Sequence, residues 1–157
     1  MVSAELVSGV YSDGALTIDP PDAGKVTGQV TGQVTGQVTG HPAAHPPGHG
    51  IAVLAVRIRN HGPEPVLVDG CALAFLPDGA DVEIPDHFPG VNPELPCRLP
   101  PGNTLTMLTA LKWVGVFIAG LQAAGRDVRS VHALVGLGAQ PPVASPGLDA
   151  STLVTRS

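Results

Sequence analysis

The chain has 157 residues, of which 43% are hydrophobic but only 3% aromatic, so its core must be built from Val, Leu, Ile and Ala. Charged residues make up 13%, about half the usual share, and eight basic residues against 13 acidic ones leave a formal net charge of −5. Without a basic stripe or a supply of stacking aromatics, nucleic-acid binding lacks both affinity and readout, and a basic membrane-surface face is equally missing.

Twenty Gly and 17 Pro imply many turns and few long helices. The length suits one domain with appendages. The opening residues, MVSAELVSGVYSDG, contain no basic n-region followed by an apolar run, so export by a standard signal is not expected. Cys71 and Cys97 fit neither a disulfide framework nor a metal motif. Two inert buried thiols are expected, with a single bridge between two strands as the alternative.

In chain order, residues 1–24 read as a β-hairpin or arm. Apolar residues flank Ser12-Asp13-Gly14, a strong hairpin turn, and Pro20-Pro21 ends the pairing because proline has no N–H to donate. Residues 25–50 form a linker. It begins with the repeat KVTG-QVTG-QVTG-QVTG from Lys25 to Gly40, whose Val and Gly would share one face of an extended chain, with Thr and Gln or Lys on the other. The repeat is either a flexible spacer or a strand added to a sheet edge, its own or a neighbour's, through Val26, Val30, Val34 and Val38. HPAAHPPGHG then favours polyproline II.

Residues 51–140 carry the expected β-sandwich. In IAVLAVRIRN, Ala52, Leu54, Val56 and Ile58 point one way and Arg57 and Arg59 to solvent. VLVDGCALAFL reads as a strand with a bulge at Asp69-Gly70 and with Cys71, Leu73 and Phe75 inward, followed by a turn and the short strand DVEIP. The proline-rich loop DHFPGVNPELPCRLPPG precedes NTLTMLTAL, with Leu105 and Met107 inward. Leu111, Val114, Ile118 and Leu121 repeat at helical spacing, so a short helix is expected across one end of the sandwich, with Thr109 and Gly125 as its caps. Lys112 interrupts this apolar stretch and leaves too short a run to span a membrane. VRSVHALVGLG is a central strand, and the tail 141–157 is expected to add an edge strand at Ser151–Thr155.

The strand IAVLAVRIRN, the turn Asn60-His61-Gly62-Pro63-Glu64-Pro65 with the strand after it, and Leu99-Pro100-Pro101-Gly102-Asn103 before a Thr-rich strand resemble an immunoglobulin-like β-sandwich of bacterial and phage surface proteins. The resemblance covers about residues 51–110. It implies a mainly β, antiparallel immunoglobulin-like sandwich, and a module that binds, decorates or spaces rather than catalyses.

Candidate chemistry is sparse. His41, His45 and His49 are spaced by four, but Pro42, Pro46 and Pro47 forbid the helix that would align them on a metal. Asp86 and His87 adjoin in sequence near Glu83 without a nucleophile motif. His132 reads as a satisfied boundary histidine, and Trp113 and Phe117 as core fillers, with partner anchoring as the alternative. No catalytic residue, cofactor or metal is assigned. Phe88 and Trp113 join the four valines as interface candidates. The leading expectation is a non-enzymatic structural or recognition module of a larger assembly, most concretely a phage-type capsid decoration or virion surface protein. Its partners would be proteins, itself or other assembly subunits, as a homo-oligomer located in a virion or the cytoplasm. A free intracellular binding domain using loops 77–103 is the alternative, and a metal-dependent hydrolase the least supported.

Overall fold

Strands that alternate in polarity need a second apolar layer, and the chain supplies it by folding two antiparallel sheets against each other. The computed structural model describes residues 1–18, 50–85, 88 and 90–156. The first sheet contains β1 (Val2–Ser12), β2 (Ala15–Ile18), β3 (Ile51–Asn60) and β8 (Thr104–Ala110), in the order β2-β1-β3-β8. The second contains β5 (Gly70–Pro77), β6 (Asp81–Glu83), β9 (Val128–Leu137) and β10 (Gln140–Ala144), in the order β10-β9-β5-β6, with β11 (Leu148–Asp149) also paired to β9. A separate ladder joins β4 (Val66–Val68) to β7 (Cys97–Leu99). Helix α1 (Leu111–Ala123) carries the chain from β8 to β9, and α2 (Ala150–Arg156) follows β11.

The expected hairpin forms, and it does not stand apart: β1 is paired with β3 from Val2 to Tyr11. Leu6, Leu54, Val56, Ile58 and Met107 of the first sheet meet Leu73, Phe75, Val131 and Val135 of the second, and Leu111, Val114 and Ile118 of α1 complete this core. Each such side chain contributes roughly 1.5–3 kcal/mol on burial. Along β3 the other face is covered too. Val53 and Ala55 lie with Leu108 under Phe88, which meets the Tyr11 ring edge-on at 5.6 Å.

Helix α1 ends as its sequence predicts. Gly125 is left-handed (φ 86°), its N–H bonds to the Gln122 carbonyl, and the Arg126 N–H bonds to that of Leu121, a Schellman closure. At its start the cap position is Ala110, with no side-chain cap, so Thr109 does not cap the helix; it is buried in β8. Three further expectations are corrected. Asp69-Gly70 is a crossing between sheets rather than a bulge: the Asp69 N–H bonds to the Gly136 carbonyl while β4 and β5 take different partners. The proline-rich loop contains β7, whose Cys97, Arg98 and Leu99 pair with β4.

The tail carries a helix where an edge strand was expected. Oδ1 of Asp149 accepts from the Ser151 N–H (2.9 Å) and hydroxyl (2.8 Å), and the Thr152 hydroxyl donates to the Asp149 carbonyl. That is an N-cap, and Ala150 and Leu153 are buried at helical spacing behind it. The Ser151 hydroxyl, with the Ser151 N–H second, holds the Asp149 carboxyl below its ordinary range. The last edge strand is β10, which accommodates Pro141 and Pro142 through a register shift.

Asn60 is fully buried at the end of β3 and ties three segments together. Its Nδ2 donates to the carbonyls of Glu64 (2.7 Å) and Leu99 (3.0 Å), and its Oδ1 accepts from the Gly62 N–H (2.9 Å). Its backbone N–H and C=O bond to Asn103 and Gly102. Every polar group of Asn60 is therefore engaged across the turn after β3, the strand β7 and the turn before β8. Replacing Asn60 by Ala strands these partners in the interior, and the expected cost is about 3 kcal/mol. Urea denaturation checks this; an unchanged midpoint would show that the turns hold without the carboxamide.

Candidate functional site: the open edge of the first strand

The turn between β1 and β2 decides which way the backbone of β1 faces. Asp13 (φ 51°) and Gly14 (φ 80°) are both left-handed, the signature of a two-residue type I′ turn. Such a turn is closed by a mutually hydrogen-bonded pair, here Ser12 and Ala15. Bonding then alternates along the strand. Even-numbered residues of β1 aim N–H and C=O toward the β2 side, and odd-numbered residues aim them at β3. An independent contact agrees, since the His61 N–H bonds to the carbonyl of Met1 on the β3 side (2.7 Å).

The described part of β2 pairs with β1 as far as Ile18, opposite Gly9. At the same register Pro21 matches Leu6, where proline has no N–H to give. Among the described residues no strand pairs with β1 on this side between Val2 and Leu6. The N–H and C=O groups of Val2, Ala4 and Leu6 thus form a row without a ladder, spaced about 6.8 Å apart along the strand. β10 lies close to β1 without forming a ladder with it. A cavity of about 560 Å³ lies at the Val2 end, bounded by Met1, Val2, Asn60, Pro63, Pro65 and Gln140, and a second of about 390 Å³ lies on the outer face of the sheet against Ser3, Glu5, Arg57, Arg59, Thr104 and Pro146.

The two flanks of this edge differ chemically. On the core side, Ala4 and Leu6 are buried. On the outer face, Ser3, Glu5 and Val7 sit opposite Arg59, Arg57 and Ala55. Glu5 pairs with Arg57 (3.3 Å), an exposed contact that adds little stability and chiefly orients both groups. The Ser3 hydroxyl lies 2.7 Å from Nε2 of His61. Arg59 is exposed, with no ion pair among the described residues.

Three other edges are obstructed. The Asn92 carboxamide takes the place of a strand on β8: its Nδ2 donates to the Leu108 carbonyl and its Oδ1 accepts from the Leu108 N–H, both at 2.8 Å. β6 is three residues long, and β10 carries two prolines.

Of the interface candidates, Val26, Val30, Val34 and Val38 lie outside the described residues. So do His41, His45, His49, Asp86 and His87. Phe88 is buried over Val53, Ala55 and Leu108. Trp113 is half-buried and stacked on Phe117 (5.4 Å), which in turn tilts against Phe75 (4.8 Å), so both serve the core.

One constellation escaped the sequence. Nε2 of His132 lies 3.1 Å from the Ser130 hydroxyl, and Nδ1 lies 3.0 Å from the Ser145 carbonyl. A carbonyl only accepts, so Nδ1 donates to it, and in the neutral ring Nε2 then accepts from the Ser130 hydroxyl. This resembles half of a nucleophile–base pair. Yet the ring packs on Gly147, where a Cβ would come within 2.6 Å, and neither residue lines any cavity described above. The i, i+2 spacing on one strand face was the available signal.

Among the described residues, no three His, Cys, Asp or Glu side chains gather as a metal site, and no helix is long and apolar enough to cross a membrane. Both cysteines are free thiols, and Cys97 is only half-buried. Burial pushes the Cys71 thiol from its ordinary 9.0 up to about 12. No family model matches the chain, and neither a curated protein nor a solved structure matches it.

Hydrogen exchange on the dilute chain tests the open edge. Amides of Glu5 and Val7 should exchange slowly, and those of Ala4 and Leu6 fast despite their buried side chains. Slow exchange at Ala4 and Leu6 would mean that the edge is already closed. A second expectation concerns Cys71. Its neutral thiol is favoured by the fold, so that contribution is whole below pH 9 and lost as pH rises toward about 12. The urea midpoint should therefore fall over this window more steeply for the native chain than for Cys71→Ala. Parallel curves would remove the thiol from the explanation.

Proposed function

We propose that this protein is a non-enzymatic recognition module of a larger assembly, and that it joins that assembly by accepting an extended strand on the open edge of β1. The observation that carries this is the row of backbone groups at Val2, Ala4 and Leu6, which no described strand pairs, in a sandwich whose β6, β10 and β8 edges are short, proline-bearing or capped by Asn92. Backbone pairing supplies affinity, and the alternating flanks of the edge supply selectivity. A phage-type capsid decoration or virion surface protein is the most concrete version, because repeated weak contacts suffice when many copies bind together.

The immunoglobulin-like kinship is part of the same reading. Its support is the strand order, with β1, β3 and β8 in one sheet and β5, β9 and β10 in the other. Further support comes from Asn60, which joins the two turns that carry the resemblance. A free binding domain that uses loops 77–103 is the second reading. A cavity of about 390 Å³ bounded by Ile84, Asn92, Pro93, Leu95 and Met107 favours it.

Gradient sedimentation of extracts from the native source separates the two. The full chain should travel with a large particle. Ala4→Pro, which removes an outward N–H and leaves the β3 ladder intact, should remain at the top of the gradient. Val2→Pro, at the first residue of the strand, is the gentler companion, and circular dichroism confirms that both fold. A native chain that sediments as a free monomer would overturn the assembly function, and particle association by both proline variants would move the site away from β1.

A further inference from the structure

Resting on the strand-acceptor function above, we infer that the strand accepted by β1 is the Val-Thr-Gly-Gln repeat of a second copy of this chain. Register supplies the first argument. β2 runs antiparallel to β1 with Ile18 opposite Gly9. Extended at that register, Lys25 falls opposite Val2, and Val26 to Gly40 overshoot the end of the copy's own edge. Pro20 and Pro21 lie in sequence between β2 and the repeat and have no N–H to give a ladder on β1, a limit that a neighbour's repeat does not carry. Thirty-one residues separate Ile18 from Gly50, a span of up to about 100 Å when extended.

The second argument is pattern. The edge is apolar on its core flank, at Ala4 and Leu6, and polar on its outer flank, at Ser3 and Glu5. In an extended repeat Val and Gly share one face, and Thr and Gln the other. Laid on β1, this places Val and Gly against the core seam and Thr and Gln beside Ser3 and Glu5. Beyond Lys25 the repeat is uncharged, so it leaves the Glu5–Arg57 pair undisturbed. Three outward residues on the edge need fewer than two repeats, and the identical units let the donor engage at several equivalent registers.

Donor and acceptor are different parts of one chain, so the contact is heterologous and builds head-to-tail series unless two copies exchange strands reciprocally. Sedimentation velocity of the purified full chain, the deletion of residues 25–40 and Ala4→Pro tests the assignment. The native chain should self-associate with rising concentration, and each variant alone should stay monomeric. Their equimolar mixture should form a 1:1 complex, because Ala4→Pro keeps the repeat and the deletion keeps the edge. A native chain that is monomeric throughout overturns the inference. Self-association of the deletion variant would also overturn it but leave β1 as an acceptor for another strand. Self-association of Ala4→Pro would overturn the acceptor edge itself. Val2→Pro, with circular dichroism on every variant, separates lost pairing from lost folding.

Discussion

Every backbone amide in a packed protein needs a partner, and in this chain the two-residue turn at Asp13-Gly14 determines where the partners of β1 must come from. Because the turn closes on Ser12 and Ala15, parity is set for the whole strand. Odd residues are satisfied by β3, and Val2, Ala4 and Leu6 turn their side chains toward the core and their amides sideways. The same parity therefore builds the sandwich interior and creates the row that no described strand pairs. A shift of one residue would exchange the buried Ala4 and Leu6 for Ser3 and Glu5, so the fold cannot keep its core and move the edge.

Elsewhere the chain settles the same need with side chains. Asn60 and Asn92 both use a carboxamide, which has a donor and an acceptor side by side like a peptide group. Asn60 joins segments that share no ladder at that point, and Asn92 stands in for a missing strand on β8. Ser145 does likewise on β9, where its hydroxyl accepts from the Ala133 N–H and its own N–H bonds to the Ala133 carbonyl. With so few charges in the sequence, neutral polar groups do this work, at roughly 0.5–1.5 kcal/mol net per hydrogen bond.

What could be read from the sequence was local or strictly periodic. Asp13-Gly14 marked the hairpin, Leu111, Val114, Ile118 and Leu121 marked α1, and Gly125 marked its end. Alternation located the core faces of β3, β5 and β8. The features that escaped depend on contacts between distant residues. β7 exists because β4 is there to pair with it, despite flanking prolines. Val53 and Ala55 are covered because Phe88, over thirty residues later, folds across them. The tail helix was readable in principle, since Asp149 two and three residues before Ser151 and Thr152 is a capping pattern, but the β-branched Thr152 and Val154 argued locally for a strand. The edge of β1 was the least legible feature. Strand propensity says nothing about which neighbour will be missing.

The carboxamide of Asn92 also bears on how the protein ages. An asparagine is lost most easily when the next backbone nitrogen attacks its side chain and forms a cyclic imide, and the product carboxylate could no longer donate to Leu108. Pro93 follows Asn92 and offers no such nitrogen. The seal on β8 is thus guarded against slow chemical decay by the residue beside it, and one side of this sheet stays closed as the protein ages.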